Sequence, residues 1–227
     1  MSRQPLTGTR PVTGAADRIR GRPTLTRGDV IAAGARLLDE VGVEGVTMRR
    51  LAAALGTGPA TLYWHVRDKD ELLVAILDDS LRDVVPPSAG PWDRRLVDVL
   101  QQCRVVLRAR PALVLVLWSA RWDLGPQTLR VADTLVGLVA DSGLPDVEVA
   151  DAYFALFSVT LGTVSAEVHT PGNVYPSEAT GTATGYAHLD RYAPGTDPAR
   201  MDRRFDYGLR VIIDGIAARV AAGSPPG

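Results

Sequence analysis

The chain has 227 residues, of which 46% are hydrophobic and 22% charged, and its 25 basic and 26 acidic side chains leave a net charge of -1. This composition is typical of a globular protein and excludes a short peptide, a repeat array and a disordered tail. No run approaches the roughly 18 apolar residues of a membrane span, residues 1–21 lack the apolar stretch of a secretory signal, and the single cysteine, Cys103, has no partner for a disulfide within the chain. We therefore expect a cytoplasmic protein without a membrane partner.

The N-terminal part divides into an arm and a small helical domain. Residues 1–25 are rich in Arg, Gly, Pro and Thr and have no apolar period, so they are predicted to form a flexible basic arm. Residues 26–85 show helical apolar periods that follow capping side chains or a first-turn proline. Four helices are predicted: from Thr26 to Gly42, from Thr47 to Gly56, from Gly58 to about Val66, and from Asp68 or Asp70 to the helix-breaking prolines 86 and 87.

Residues 92–222 are predicted to form a second helical domain. Apolar periods predict helices over 92–109, 126–141, 146–168 and 198–222. The run 112–120 is apolar all round and is therefore expected to be buried. Gly, Pro, Ser and Thr dominate 170–196, which favours an irregular loop with room for one short helix, and 223–227 are expected to form a disordered tail. Because no segment alternates as a strand does, the predicted fold class is all-α.

Charge is distributed unevenly along the chain. Residues 1–69 carry eleven basic and six acidic groups, a net charge of plus five, whereas the remaining 158 residues carry 14 basic and 20 acidic groups, a net charge of minus six. This asymmetry indicates a basic module, suited to phosphates, on an acidic body. The alternative is a codon bias toward arginine, since 24 of the 25 basic residues are Arg.

Residues 47–66 have the order helix, glycine-containing turn, helix. This order is typical of a helix-turn-helix, whose second helix enters the DNA major groove. Small residues at 59–61 suit close approach to base edges, and Leu62 and Val66, four apart, should pack inward. The side chains that then face outward, within reach of phosphates and bases, are Thr61, Tyr63, Trp64 and His65. The alternative is that these aromatic residues fill a core.

Three runs within residues 26–82 carry a family resemblance: Gly45-Val46-Thr47-Met48-Arg49-Arg50-Leu51-Ala52 with Gly56, Thr61-Leu62-Tyr63-Trp64-His65-Val66, and Lys69-Asp70-Glu71-Leu72-Leu73. They resemble the DNA-binding domain of the tetracycline-repressor (TetR) family. The resemblance implies a three-helix helix-turn-helix domain, followed by a helical ligand-binding and dimerisation domain. It further implies a dimeric repressor that a small-molecule effector releases from double-stranded operator DNA.

The resemblance also implies individual DNA contacts. Arg49 would read a guanine, Thr61 and Tyr63 would contact bases, and phosphate contacts would come from Thr47, Trp64, His65 and Lys69. Pro59 and Ala60 stand where tetracycline repressors carry a base-reading Gln and a Pro, so the operator sequence does not transfer. Arg18, Arg20 and Arg22 of the arm either add phosphate or minor-groove contacts or stay off the DNA.

A repressor of this kind needs a second copy to read two half-sites. The helices over 146–168 and 198–222 are predicted to form a four-helix bundle with those of a partner subunit. The apolar stripes proposed for this interface are Val149, Tyr153, Leu156, Phe157 and Leu161 on the first helix, and Phe205, Leu209, Ile212, Ile213 and Ile216 on the second. The alternative is that both stripes are buried inside one subunit.

A largely apolar effector pocket is expected among the helices of residues 92–142. Its candidate lining residues are Cys103, Leu107, Trp118, Trp122 and Phe157. One histidine, His169, beside Glu167 is too little for a metal site, so no metal or cofactor is expected. Aligned with tetracycline repressors, Ala166 stands where they place a ligand-coordinating Glu, which argues against recognition of Mg-tetracycline.

Three other classes of protein are alternatives to a repressor. A dinucleotide-binding loop at Gly56 and Gly58 would need a preceding strand and a small residue where Thr61 stands. An all-α enzyme, or a small-molecule-binding protein with an apolar pocket, remains the alternative, but the sequence has no nucleophile elbow, no zinc-protease motif and only three histidines. A helical adaptor would have no reason to keep the polar-tipped residues 61–65.

Overall fold

The computed structural model describes residues 25–119, 124–169, 184–192 and 198–223. Within these ranges every regular element is an α-helix, which confirms the predicted fold class. The helices in chain order are α1 (Arg27–Gly45), α2 (Met48–Ala54), α3 (Pro59–Leu62), α4 (Lys69–Ser80), α5 (Trp92–Ala109), α6 (Ala112–Ser119), α7 (Pro126–Ala140), α8 (Asp146–His169), α9 (Ala187–Tyr192) and α10 (Pro198–Ala222). The predicted arm at residues 1–24, most of the predicted loop and the tail beyond 223 lie outside the described residues.

The helix ends follow local signals in the sequence. At the start of α1, the Thr26 hydroxyl accepts from the Asp29 N–H while the Asp29 carboxylate accepts from the Thr26 N–H, a reciprocal capping box. Gly42 adopts φ 67° and kinks α1 three residues before its end, as expected for the residue with the least steric cost there. Thr47 and Asp68 accept similar bonds at the starts of α2 and α4.

Two helices differ from their predictions. α3 ends at Leu62 rather than near Val66, because the N–H groups of His65 and Val66 both donate to the Leu62 carbonyl and tighten the chain into a turn. α6 is buried on one side only, with Leu115 and Trp118 each 52% exposed. It packs against α4 at the surface of the molecule, so its outer side has no protein cover among the described residues.

The helices form two packed groups, here called the head (α1–α4) and the body (α5–α10). The core of the head is built from side chains that are at most 2% exposed, among them Val30, Leu38, Leu51, Leu62 and Ile76. In the body, α5, α7 and α8 pack on one another and α10 lies along α8. α4 contacts both α6 and α7, so the helix that closes the head also rests on the body.

Two reciprocal helix caps join α4 to α7. The Asp78 carboxylate on α4 accepts from the Thr128 N–H at 2.8 Å and the Thr128 hydroxyl at 3.2 Å, which caps the start of α7. Gly125 at that start leaves room for the carboxylate, because a Cβ there would lie 2.3 Å from Asp78 Cγ. Arg130 on α7 donates in return to the last carbonyls around the end of α4, those of Leu81, Arg82 and Val84.

Glu71 ties the turn after α3 to the rest of the head. Its carboxylate accepts from the backbone N–H of Arg67 at 2.8 Å, from Arg67 Nε at 3.0 Å and from the Arg27 guanidinium at 3.2 Å. Arg27 Nε also donates to the carbonyl of His65 at 3.2 Å. These donors, the Arg67 N–H first, hold the pKa of Glu71 below its ordinary value of 4.5. Glu71 therefore fixes the turn that carries residues 63–65.

Replacing Asp78 by Ala should lower the free energy of unfolding by about 1–2 kcal/mol, because the start of α7 loses its cap. Asp78→Asn keeps an acceptor and should cost less. The control is Asp79→Ala, which removes a carboxylate paired with Arg82 at the surface and should change stability by less than about 0.5 kcal/mol. Urea unfolding followed by circular dichroism measures all three, and equal losses at positions 78 and 79 would contradict the cap.

Glu71→Gln should be less stable than the parent at neutral pH by about 1 kcal/mol, since it loses a charged acceptor. A carboxyl with a lowered pKa stabilises the fold above its ordinary value of 4.5, and this contribution is lost as the pH falls through the lowered value. The difference between parent and variant should therefore shrink below pH 4.5. Urea unfolding across that range is the measurement, with the exposed Glu44→Gln as control, and a pH-independent difference would refute the assignment.

Candidate nucleic-acid interface and ligand cavity

The turn after α3 presents two large aromatic side chains to solvent. Trp64 is 88% exposed and Tyr63 is 54% exposed, whereas Leu62 and Val66 on either side are buried in the head. The alternative that these aromatic residues fill a core is therefore excluded.

The side chains predicted to contact DNA lie on α2, on α3, in the turn after α3 and at the start of α4. Seven of them are exposed and two, His65 and Lys69, are half-buried; the exposed ones are Thr47, Arg49, Pro59, Ala60, Thr61, Tyr63 and Trp64. α2 and α3 pack on each other, which brings most of the set to one end of the head.

Two neighbouring arginines on α2 differ in whether their guanidinium groups are already hydrogen-bonded. Arg50 donates to the Gly45 carbonyl at 2.8 Å and so helps to close the end of α1. Arg49 is exposed and makes no hydrogen bond or ion pair with any residue that the structure describes. The Thr47 hydroxyl accepts from the Arg50 N–H, which leaves its own hydrogen available for an acceptor such as a phosphate. Arg67, which the sequence reasoning did not include, lies exposed beside this set.

A cavity of about 420 Å³ lies between α5, α6, α7 and α8. Four of the residues predicted for an effector pocket line it, namely Cys103, Leu107, Trp118 and Phe157. The fifth, Trp122, lies outside the described residues. Twelve further described residues line the cavity and were not predicted to line it, among them Thr128, Tyr153, Phe154 and Thr160, because their place on the cavity wall depends on how the helices pack and not on a local pattern.

Aromatic rings and neutral polar groups make up the functional part of the cavity wall. Phe157 lies at the centre of the ring cluster, 5.9 Å from Trp118 edge to face, 6.1 Å from Tyr153 and 6.3 Å from Phe154 between ring centroids. Burial raises the pKa of the Cys103 thiol to about 12 and also raises the pKa of Tyr153. Both groups are therefore uncharged at neutral pH.

A second cleft, of about 500 Å³, lies between the head and the body. Its walls carry charged side chains, including Arg27, Arg67 and Glu71, which already pair with one another. It does not have the apolar lining expected of the effector pocket.

Glu167 belongs to an ion cluster inside the body. It pairs with Arg104 and Arg108 of α5, and Arg104 also donates to Asp202 of α10 at 2.7 Å. The side chains of Arg104 and Glu167 are almost fully buried, and the Arg104 guanidinium lies over the ring of Phe205. The cluster fastens α8 and α10 to α5. Glu167 Oε1 accepts from Arg104, whereas the buried Oε2 lies 3.2 Å from Arg108 Nε in an ion pair and accepts no hydrogen bond from the described residues.

The predicted dimer interface needs correction. Leu156, Phe205, Leu209 and Ile216 are at most 3% exposed within a single protomer, because α8 and α10 pack along each other. Val149 and Leu161 are buried as well, at most 8% exposed. Of the other four candidates, Tyr153 and Phe157 line the cavity, and Ile212 and Ile213 are half-buried against the core. The buried residues of both stripes are therefore covered within one subunit.

Other large apolar side chains remain exposed on the same two helices, namely Val147 and Phe154 of α8 and Tyr207 and Val211 of α10. Gly162 of α8 and Gly215 of α10 are also exposed, with open space where a Cβ would stand. α8 is also long and apolar enough over Asp146–Glu167 to cross a membrane by length and composition alone, a property that core helices of soluble proteins share.

Comparison with known proteins gives two family matches. Residues 30–76 match the family described as bacterial regulatory proteins, tetR family, and residues 86–220 match the tetracyclin repressor-like C-terminal domain. Among curated relatives, the class A tetracycline repressor from transposon 1721 of Escherichia coli is 30% identical, over 84% of this chain and 89% of its own length.

Two solved structures from Streptomyces coelicolor show the same fold. A possible TetR family transcriptional regulator is 32% identical with a TM-score of 0.71, over 85% of this chain and 99% of that one. The TetR family protein ActR in complex with (S)-DNPA is 26% identical with a TM-score of 0.66, over 86% and 98%. The relatives are named as transcriptional regulators or repressors and not as enzymes. Together with the helix-turn-helix of the head and the helical body, these matches show that the chain belongs to the TetR family of transcriptional regulators.

Proposed function

We propose that this protein is a homodimeric transcriptional repressor that binds double-stranded operator DNA and leaves it when a small molecule occupies the cavity. The observation that carries the proposal is the exposure of Trp64 and Tyr63 on a head whose core is otherwise closed. In this proposal residues 26–85 are the DNA-binding domain and 92–222 the effector-binding and dimerisation domain, and the protein acts in the cytoplasm without a membrane partner.

The roles of the DNA-facing side chains follow from their chemistry. The free guanidinium of Arg49 can bond both acceptors of a guanine edge. Thr61 and Tyr63 reach bases from α3 and the turn, where Pro59 and Ala60 allow close approach. The side chains that hold the phosphates are Thr47, Trp64, His65 and Lys69.

The dimer forms through the exposed sides of α8 and α10. Two helices from each protomer then make a four-helix bundle that covers Tyr207 and Val211. Burying these side chains removes apolar surface from water, which is the main driving force of association.

Release from DNA runs through the reciprocal caps. Thr128 and Val131 of α7 line the cavity, and Thr128 bonds to Asp78 of α4 in the head. A ligand that displaces α7 therefore moves α4 and changes the separation of the two heads in the dimer. Operator affinity falls by the difference in the ligand's affinity for the two conformations. The ligand in the ActR structure supports a small-molecule site in this type of domain.

Arg49→Ala should weaken binding to the preferred operator by about 1–3 kcal/mol and relax sequence preference, because a base contact is lost. Trp64→Ala should weaken binding to all sequences. The operator is first selected from random duplex DNA with the parent protein, and affinities are then measured by fluorescence anisotropy at several salt concentrations. Tyr186→Ala, at an exposed aromatic residue just before α9, is the control and should bind as the parent does.

If the parent selects no sequence, or if Arg49→Ala and Trp64→Ala bind as tightly as the control, the proposed DNA interface is wrong.

Val211→Glu should convert the dimer to a monomer, because a carboxylate would be buried without a partner in the bundle. The matched control is Val105→Glu on the exposed side of α5, which should remain dimeric. Light scattering coupled to size-exclusion chromatography measures both masses. A dimeric Val211→Glu, or a parent that is monomeric at micromolar concentration, would contradict the assigned interface.

A further inference from the structure

We propose that the cavity selects an uncharged polycyclic aromatic molecule that carries hydroxyl or N–H donors. This inference rests on the proposed function and gives the chemical class of its effector. It follows from the shape, the charge and the hydrogen-bonding state of the cavity wall, in that order.

The shape favours flat rings. Trp118, Tyr153 and Phe154 surround Phe157 at 5.9 to 6.3 Å between centroids, and aliphatic side chains such as Leu107 and Leu135 close the opposite sides. Aromatic pairs gain energy from offset-stacked and edge-to-face contacts, which a flat ring system can extend and a saturated one cannot. A volume of about 420 Å³ lies within the usual range of small-molecule sites.

The described part of the wall offers no charged partner to an ionic ligand. None of the lining residues that the structure describes is Asp, Glu, Lys, Arg or His. An anionic or cationic ligand would lose its hydration and find no opposite charge in this wall. Glu167 is not among the lining residues, and its carboxylate pairs with Arg104 and Arg108 inside the body.

The hydrogen-bonding state requires donors on the ligand. The Thr128 hydroxyl donates to the Asp78 carboxylate and the Thr160 hydroxyl donates to the Leu156 carbonyl. Neither partner oxygen can donate, so both hydroxyl hydrogens are committed and the threonine oxygens can only accept from a ligand. The phenol of Tyr153 has no hydrogen-bond partner among the described residues and can serve as donor or acceptor. The wall therefore offers two oxygens that only accept hydrogen bonds and one phenol that can donate or accept. A ligand with ring hydroxyl groups can donate to these oxygens, whereas a ligand with only ether or carbonyl oxygens cannot.

The test is calorimetric titration of the full-length protein with four matched probes: a dihydroxyphenanthrene, its dimethyl ether, the corresponding phenanthrenesulfonate and a perhydrophenanthrenediol. The diol should bind about tenfold tighter than the ether, which lacks donors. The sulfonate and the saturated diol should bind more weakly than the aromatic diol by at least that factor. Equal or tighter binding of either, or no binding of the aromatic diol, would overturn the proposal.

Paired variants separate the hydrogen bond from packing. Thr160→Val should weaken the diol about tenfold and leave the ether within about twofold, whereas Thr160→Ser, which keeps the hydroxyl, should behave as the parent. Phe157→Leu should weaken both aromatic probes by about three- to tenfold. Thermal melts establish that each variant is folded. If Thr160→Val and Thr160→Ser bind the diol equally, the donor requirement is wrong.

Operator binding is measured in the same preparations without a probe. A protein that binds DNA but prefers the sulfonate or the saturated diol would refute the ligand class alone. A protein that binds the aromatic diol but no DNA would refute the proposed function and leave the chemistry of the cavity intact.

Discussion

Helix ends carry backbone groups that have no partner inside their own helix, and two such ends satisfy each other where the head meets the body. The start of α7 is capped by Asp78 from α4, and Arg130 from α7 donates to the carbonyls of Leu81, Arg82 and Val84 in the turn that follows α4. Any rotation of the head relative to the body breaks bonds at both ends, and each buried group left unpaired costs about 1–3 kcal/mol. α4 therefore packs in both domains. Thr128 of α7, which lines the cavity, bonds directly to Asp78 of α4.

This contact joins two groups of helices that carry different features. The head keeps Arg49 free and holds its aromatic turn in place through Glu71, while the body provides a cavity without charged lining residues among those described, and exposed apolar side chains on α8 and α10. The ion cluster of Arg104 and Glu167 fastens α8 and α10 to α5, so the helices proposed to form the dimer are fixed to the helices that form the cavity. The near-zero net charge of the chain is the sum of plus five over residues 1–69, which include the arginine-rich arm, and minus six over the rest, whereas residues 27–80, from the start of α1 to the end of α4, carry six basic and nine acidic side chains.

Local sequence signals predict most of the helices, but they do not show which part of the protein packs against each helix. The capping box at Thr26 and the last helix from Pro198 were both predictable, because the residues that decide them are neighbours in the chain. Apolar periodicity also identified the stripe containing Leu156, but a stripe does not reveal whether its own protomer or a second one covers it. The bond from Thr128 to Asp78 joins residues 50 apart, and no local pattern marks it. The same holds for the polar groups of the cavity wall.

The central claim is that the bond between α4 and α7 couples the cavity to the DNA-binding surface. It is tested most directly by measuring operator affinity with and without a saturating cavity ligand, in the parent and in Asp78→Ala. The account predicts that the ligand lowers operator affinity at least about fivefold in the parent and that this coupling is largely lost in the variant. Full coupling in Asp78→Ala, or none in the parent, would contradict it.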